Sequence, residues 1–198
     1  MRIGLPKGRN ISHSEMIIRA LTGSFDPARL HYSNYSENLD IYLLKHRDIP
    51  GLVATGRLDY GITLQEWVVE SSVEVKEIIR LDWCDTRISL IAPPESSLAS
   101  IGNTRELRCV TEFPHIAESF FQSEGWKNYH IETISGSCEG LVPTMYDCIV
   151  DCVETGHTME KNDLVEHKII MHSKTVLIAR NNDASGIMKL LDKALRPI

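Results

Sequence analysis

The segment 147–160, DCIVDCVETGHTME, combines residue types that can bind a phosphate ester. A dense apolar run ends at Glu154, and Gly156 then permits a turn of positive φ, in which consecutive backbone N–H groups converge on an anion. Thr155 and Thr158 add hydroxyl donors, and a helix that starts near Thr158 would add the positive end of its dipole. The segment therefore predicts an anion-binding loop.

A carboxylate on the preceding run extends this interpretation. Asp151 lies a few residues before the loop, where it can accept hydrogen bonds from the vicinal hydroxyl groups of a sugar. The loop alone also fits an ordinary strand-to-helix turn with a threonine cap. Asp151 is the observation that favours a sugar phosphate as the ligand.

Strands and helices alternate along the chain, which predicts an α/β protein with largely parallel sheets. Ligands of such proteins bind at the carboxyl ends of strands, where the topology switches. We predict strands at 2–5, 39–44, 60–63, 78–81, 87–92, 108–111, 129–134, 148–153, 168–171 and 175–179. We predict helices at 12–22, from Asp48 as N-cap to Gly56 as C-cap, at 67–73, 114–125 and 184–195.

Composition favours a globular protein that binds neither nucleic acid nor a membrane. The chain has 198 residues, of which 42% are apolar, enough for one domain or two small ones. Its formal net charge of -6 argues against a nucleic-acid partner but leaves room for a locally positive pocket. The N-terminal MRIGLPKGRN has no apolar signal core, and no run approaches the ~18 residues of a membrane span. We expect a cytoplasmic protein.

The cysteines and histidines are not spaced like ligands of a transition metal. The five cysteines include no CxxC pair, which favours reduced and mostly buried thiols. The eight histidines form neither an HxH nor an HExxH motif. We therefore predict no metal site formed by protein side chains alone.

Six segments in order make the chain as a whole resemble the family of ATP phosphoribosyltransferase, the first enzyme of histidine biosynthesis. They are LPKGR (5–9), DIPGLVATGRLDYGI (48–62), RLDWCDTRISLIAPP (80–94), RCVTEFPHIAESFF (108–121), SGSCE (135–139) and DCIVDCVETGHTME with DLVE (147–166). Each segment alone is weak, but their common order and compatible spacing are specific.

The resemblance implies a two-domain α/β fold like that of a type II periplasmic binding protein, with the active site in the interdomain cleft. Pro93-Pro94, followed by Glu95-Ser96-Ser97, is the best boundary in the chain. We expect a first domain of residues 1–93 with 173–198, and a second of residues 94–172 that carries the loop. The resemblance is to a short-form catalytic subunit, which implies a histidyl-tRNA-synthetase-like regulatory subunit and a homodimer or hetero-oligomer.

The implied reaction joins N1 of ATP to the ribose of phosphoribosyl pyrophosphate and releases pyrophosphate together with Mg²⁺. Catalysis then requires in-line positioning and neutralisation of the leaving group. By the family match, Lys7, Arg9 and Arg87 are the candidate catalytic cations, and Glu139 and Asp151 contact the ribose. The same match assigns the phosphate loop to Glu154, Thr155, Gly156, His157 and Thr158.

Three departures from the family pattern concern the nucleotide side of the site. Thr63-Leu64-Gln65-Glu66 lacks an expected glycine, and Cys84-Asp85-Thr86 lacks two more. Lys45 replaces an arginine and loses its fork of donors. A phosphoribosyltransferase with another acceptor, or a non-catalytic ligand-binding protein, is therefore the alternative hypothesis.

Overall fold

Two units, each with its own strands and helices, make up residues 1–136 and 138–195, the part of the chain that the computed structural model describes. The first unit comprises Met1–Cys84 and the segment from Lys174 onward, and the second comprises Asp85–Ser173. The sequence analysis predicts that the chain passes from the first unit to the second near residue 93 and returns near residue 173. The first crossing falls earlier, between Cys84 and Asp85, because it lies within the long strand Lys76–Ala92 and not in the loop that follows it. Ser137 and residues 196–198, included in the predicted motif and first domain, lie outside the described residues.

The first unit contains a mixed sheet in which β1 is central. Its strands, in spatial order, are β2 (His31–Asn34), β3 (Leu39–Leu44), β1 (Arg2–Pro6), β4 (Tyr60–Leu64) and the last part of β9 (Val165–Ala179). β1 runs parallel to β3 and β4, whereas β2 and β9 are antiparallel to their neighbours. The carboxyl ends of β1, β3 and β4 therefore meet at one edge of this sheet.

The second unit contains, in spatial order, the first part of β9, the last part of β5 (Lys76–Ala92), β8 (Cys148–Val153), β6 (Leu107–Thr111) and β7 (Tyr129–Thr133). β8, β6 and β7 are parallel, and β5 is antiparallel to β8. The chain therefore leaves all three parallel strands at the same edge, where the sequence predicts the ligand. The five cysteines are thiols and form no disulfide.

Helices cover the sheet of the first unit on both faces. Leu177 packs in the cluster that includes residues of α1 (Ile11–Thr22) and α7 (Ser185–Leu195), whereas Val176 and Ile178 pack with α2 (Ile49–Ala54). Burial on both faces explains why this end of β9 is a continuous apolar run. The remaining helices are α3 (Gln65–Ser71), α4 (Leu98–Thr104), α5 (Pro114–Ser123) and α6 (His157–Lys161). None of the helices within the described residues is long and apolar enough to cross a membrane.

The structure corrects several predicted elements. β5 and β9 are each one long strand where the sequence predicts two, because polar residues that face solvent interrupt the apolar pattern without breaking the strand. β2 and α4 were not predicted because each has a single buried residue, Tyr32 and Leu98 respectively, and so lacks an apolar period. Asp48 makes no side-chain capping hydrogen bond at α2, contrary to prediction.

A buried carboxylate fixes the start of β8 beside β6. Asp147, 7% exposed, accepts a hydrogen bond from Arg105 Nη1 at 2.8 Å and another from the backbone N–H of Arg108 at 2.8 Å. The bond from Arg105 is the main cause that lowers the pKa of Asp147 to about 2. The charged carboxylate therefore stabilises the second unit.

We predict that Asp147→Asn lowers the free energy of unfolding by about 2 kcal/mol at pH 7, the value of a pKa shift from 3.8 to about 2. A carboxylate whose pKa is lower in the folded state stabilises the fold at pH values above its unfolded-state pKa. The difference between the two proteins should thus shrink as the pH falls from about 4 to about 2, in denaturant unfolding curves. Asp82→Asn, which removes an exposed ion pair with Lys174, should change stability by less than ~1 kcal/mol. Equal effects of the two substitutions would contradict the prediction.

Candidate active site

The predicted phosphate loop follows directly from the end of β8. Val153 is buried, Glu154 and Thr155 are exposed, and Gly156 adopts φ +81° before α6 begins at His157. The helix thus starts one residue earlier than predicted. Gly156 is half-buried, so its backbone is not enclosed by packing.

The loop offers hydrogen-bond donors to a ligand. Within the described residues, the hydroxyl groups of Thr155 and Thr158 make no hydrogen bond. The first N–H groups of α6, which start at His157, have no partner inside the helix. Met159 packs against the apolar cluster that contains Val153 and Leu164, so the residues on both sides of the turn are held by apolar contacts. This arrangement suits an anion with several oxygen atoms.

Two predicted ribose ligands lie near one another around a buried thiol. Burial is the largest cause that raises the pKa of Cys138 to about 12, and the negative charges of Asp151 and Glu139 add to it. Oε2 of Glu139 is shielded from solvent and has no hydrogen-bond partner within the described residues. A pair of carboxylates therefore lies on the side of the unit that carries the loop.

Arg87 lies beside the loop on the neighbouring strand. In the antiparallel pairing of β5 with β8, Arg87 is opposite Val153, and Ser89 is opposite Asp151. Because side chains alternate across a strand, Arg87 and Asp151 lie on the same face of the sheet. Nε of Arg87 donates to Oε2 of Glu166 at 2.7 Å. The sequence includes Glu166 in a family motif but gives no signal that it contacts Arg87.

A second acidic residue that sequence reasoning missed holds the turn before Glu139. Oε1 of Glu112 accepts the backbone N–H of Gly136 at 3.0 Å, and Gly136 has φ +114°. Glu112 also contributes to the negative potential around Cys138. Glu112 directly follows β6, so it lies at the same edge of the sheet as Glu139 and the loop after β8. Only the order of the strands in the sheet reveals that these residues are close together.

Lys7 and Arg9 belong to the first unit, whereas the other predicted site residues belong to the second. Both cations lie on the loop that leaves β1, with Lys7 half-buried and Arg9 exposed. Asn10, 2% exposed, donates from Nδ2 to Oγ1 of Thr175 at 3.1 Å and thereby anchors this loop to β9.

A buried histidine accompanies these cations at the same edge of the sheet. His46 is 9% exposed, and its backbone carbonyl accepts a hydrogen bond from the Thr63 hydroxyl at 2.9 Å. Burial, and then the charge of Arg9, lower the pKa of His46 to about 4, so the ring is neutral at pH 7. The polar neighbours Lys45, Arg47 and Asp48 give no signal of this burial in the sequence.

Two of the three departures from the family pattern lie in regular secondary structure, whereas Lys45 lies in the loop that follows β3. Cys84-Asp85-Thr86 is part of β5, and Gln65 opens α3. The Gln65 side chain donates to Glu77 at 2.9 Å and accepts the backbone N–H of Lys174 at 3.1 Å. Gln65 therefore links β5 with β9.

The comparison with protein families matches residues 45–196 to ATP phosphoribosyltransferase. Curated relatives of that name include a protein from Rhodopirellula baltica, 30% identical over 90% of this chain and 60% of the relative. Another, from Sulfurisphaera tokodaii, is 31% identical over 74% of this chain and 52% of the relative. The chain thus spans about half to three-fifths of the length of these relatives.

Among solved structures, the ATP phosphoribosyl transferase (HisG:HisZ) complex from Thermotoga maritima matches with a TM-score of 0.84 and 20% identity, over 98% of this chain and 96% of the other. A putative L-cystine ABC transporter from Listeria monocytogenes matches with a TM-score of 0.64 and 12% identity, over 98% and 88%. These matches confirm the predicted fold class, a two-domain α/β fold like that of type II periplasmic binding proteins.

We predict that His46 makes the protein less stable in mild acid. A histidine whose folded-state pKa is depressed takes up a proton mainly in the unfolded chain, so stability falls as the pH drops from 6.5 to about 4. The expected loss is about 3 kcal/mol. In urea unfolding at successive pH values, His46→Gln should show a correspondingly flatter dependence. Parallel pH curves for variant and wild type would rule out a depressed pKa.

We predict that Gly156→Ala costs about 1 kcal/mol of stability because an L side chain disfavours φ +81°. The cost is conformational, since an added Cβ would lie 3.6 Å from the methyl carbon of Met159, an ordinary contact. Gly186→Ala, at a helical position with open space, is the matched control and should not destabilise. Thermal unfolding of both variants tests the difference, and equal stabilities would contradict it.

Proposed function

Because this chain belongs to the ATP phosphoribosyltransferase family, we propose that it transfers the phosphoribosyl group of phosphoribosyl pyrophosphate to N1 of ATP, the first step of histidine biosynthesis. The observation that carries the proposal is the half-exposed turn at Gly156 at the end of β8, with the Thr155 and Thr158 hydroxyls available. Carboxylates that suit a ribose accompany this turn on the same unit.

Donor binding is assigned to the second unit. The 5-phosphate accepts hydrogen bonds from the Thr155 and Thr158 hydroxyls and from N–H groups at the start of α6. Asp151 and Glu139 accept hydrogen bonds from the ribose hydroxyls. Their negative charge also suits a sugar ring on which positive charge develops in the transition state.

The chemical step exchanges one bond at C1 of the ribose for another. The bond from C1 to the pyrophosphate oxygen breaks with both electrons going to the oxygen, and the lone pair of adenine N1 forms the new bond to C1. Arg87 is assigned to the leaving pyrophosphate because it lies opposite Val153, directly before the loop. Lys7 and Arg9 are further cation candidates, on the loop that leaves β1.

Mg²⁺ is proposed to enter with the pyrophosphate group and not to occupy a protein cage. Mg²⁺ keeps several water ligands and commonly binds substrate phosphates with one or two carboxylates. Asp151 and Glu139 both raise the pKa of the Cys138 thiol, so they are close enough together to offer such carboxylates. Across the two described stretches, no group of three His, Cys, Asp or Glu side chains could hold a metal ion. When bound, the ion would neutralise charge on the pyrophosphate.

The partner assignment is also a proposal. The matched Thermotoga maritima structure is a HisG:HisZ complex and aligns over 96% of its chain. We propose that this chain likewise works with a HisZ-like, histidyl-tRNA-synthetase-like regulatory subunit, as a homodimer or hetero-oligomer. A cytoplasmic location agrees with a biosynthetic role and with five cysteines that remain thiols.

We predict that the chain, with Mg²⁺ and a HisZ-like subunit supplied, releases pyrophosphate only when ATP and phosphoribosyl pyrophosphate are both present. Thr158→Ala should weaken donor binding about tenfold, because it removes a hydrogen bond to a charged group. Asp151→Asn should also weaken it, through loss of the carboxylate. Calorimetric titration with the donor measures both effects.

Matched controls are available in the same unit. Thr104→Ala removes an exposed hydroxyl on α4, and Asp163→Asn removes an exposed carboxylate, so neither should alter donor affinity. Absence of turnover with both substrates and the second subunit would refute the proposed reaction. Unchanged donor affinity in Thr158→Ala would refute the assignment of the loop.

A further inference from the structure

The ion pair between Arg87 and Glu166, next to the loop, determines how Arg87 is oriented toward the proposed leaving group. Nε of Arg87 lies 2.7 Å from Oε2 of Glu166, with the side chains 30% and 19% exposed respectively. Arg87 is on β5 and Glu166 is near the start of the neighbouring strand β9, within the second unit. Both side chains are partly sheltered, so the pair is better ordered than a typical surface ion pair.

The contact uses only one of the three guanidinium nitrogens. Within residues 1–136 and 138–195, Nη1 and Nη2 of Arg87 make no hydrogen bond or ion pair. A guanidinium is planar and carries five N–H donors, of which Nε supplies one. Glu166 therefore orients the plane and leaves four donors, in a fork that matches two phosphate oxygens.

The position of the pair connects this fork with the proposed donor site. Arg87 lies opposite Val153, the last residue of β8 before the loop, and shares a sheet face with Asp151. A long arginine side chain without a partner would have to be ordered on each binding event, which weakens binding. A carboxylate that contacts Nε removes that cost and does not block the terminal nitrogens.

We propose, on the basis of the function proposed above, that Glu166 is a positioning residue: it holds Arg87 by Nε so that both terminal nitrogens are available to the diphosphate of the donor. Glu166 does not itself contact the substrate. Its contribution depends on the acceptor oxygen at Nε and not on its negative charge, which by itself would weaken the binding of an anion.

Two neutral substitutions separate these contributions. Glu166→Gln keeps a carbonyl oxygen that can accept the Nε–H bond, whereas Glu166→Ala removes it, and both remove the charge. In calorimetric titrations with inorganic pyrophosphate and Mg²⁺, the Ala variant should bind about threefold to tenfold more weakly than the Gln variant. The Gln variant should bind at least as tightly as the wild type.

A double-mutant cycle shows whether Glu166 acts through Arg87. In an Arg87→Ala background, Glu166→Ala and Glu166→Gln should bind pyrophosphate equally. Glu124→Ala breaks a comparable ion pair, between Glu124 and Lys168 farther along β9, and should leave the affinity unchanged. Melting temperatures of all variants check that the fold is intact.

Equal affinities of the Ala and Gln variants in the wild-type background would overturn the proposal, as would a difference that persists without Arg87. Failure of the wild type to bind pyrophosphate would also overturn it. The proposed reaction is tested separately, by turnover of ATP. If ATP is not consumed while the Ala and Gln variants still differ, the acceptor assignment fails and the positioning role of Glu166 stands.

Discussion

The turn at Gly156 is fixed from both sides by apolar packing, and the candidate site depends on this constraint. Val153 before the turn and Met159 after it contact the same apolar cluster, which also contains Leu164. Between these anchors Thr155, His157 and Thr158 are exposed and Gly156 is half-buried, so polar side chains of the loop are accessible where β8 ends. Positive φ at Gly156 reverses the chain within that space and lets α6 begin at once.

The parallel order of β8, β6 and β7 then determines which residues accompany the turn. Chain segments that follow these strands emerge at the same edge, so Glu112 and the Glu139 segment lie close to Asp151 although they are distant in sequence. β5, which runs antiparallel, adds Arg87 at this edge through its pairing with Val153. One sheet thus brings together the hydrogen-bond donors, the carboxylates and the cation that the proposed function assigns to the phosphate, the sugar and the leaving group of the donor.

The first unit presents a different chemistry at the carboxyl ends of its own parallel strands. Lys7 is half-buried and Arg9 is exposed, whereas the neighbouring His46 is buried and neutral at pH 7. Protonation of His46 would place a second positive charge beside Arg9 in a poorly hydrated environment. Because the His46 ring is neutral at pH 7, it does not repel the guanidinium group of Arg9.

Local sequence patterns predicted the parts of this structure that local physics controls. The apolar run 148–153 and the glycine after it correctly indicated β8 and the turn, and the ordered motifs correctly indicated the family and the fold class. The contacts of Glu166 with Arg87 and of Glu112 with Gly136 depend on strand order, which no local pattern encodes. Likewise, the burial of His46 results from packing by distant segments and not from its polar neighbours in sequence.

The most direct test of the phosphate loop is a titration of the isotopically labelled protein with ribose 5-phosphate, followed by backbone amide NMR. This ligand carries the phosphate and the sugar but neither the pyrophosphate nor a base. We predict that the largest chemical-shift changes occur at Thr155, Gly156, His157 and Thr158, with smaller changes at Asp151. Saturable shifts centred on other residues, with the amides of 155–158 unchanged, would contradict the assignment of the loop as the phosphate site.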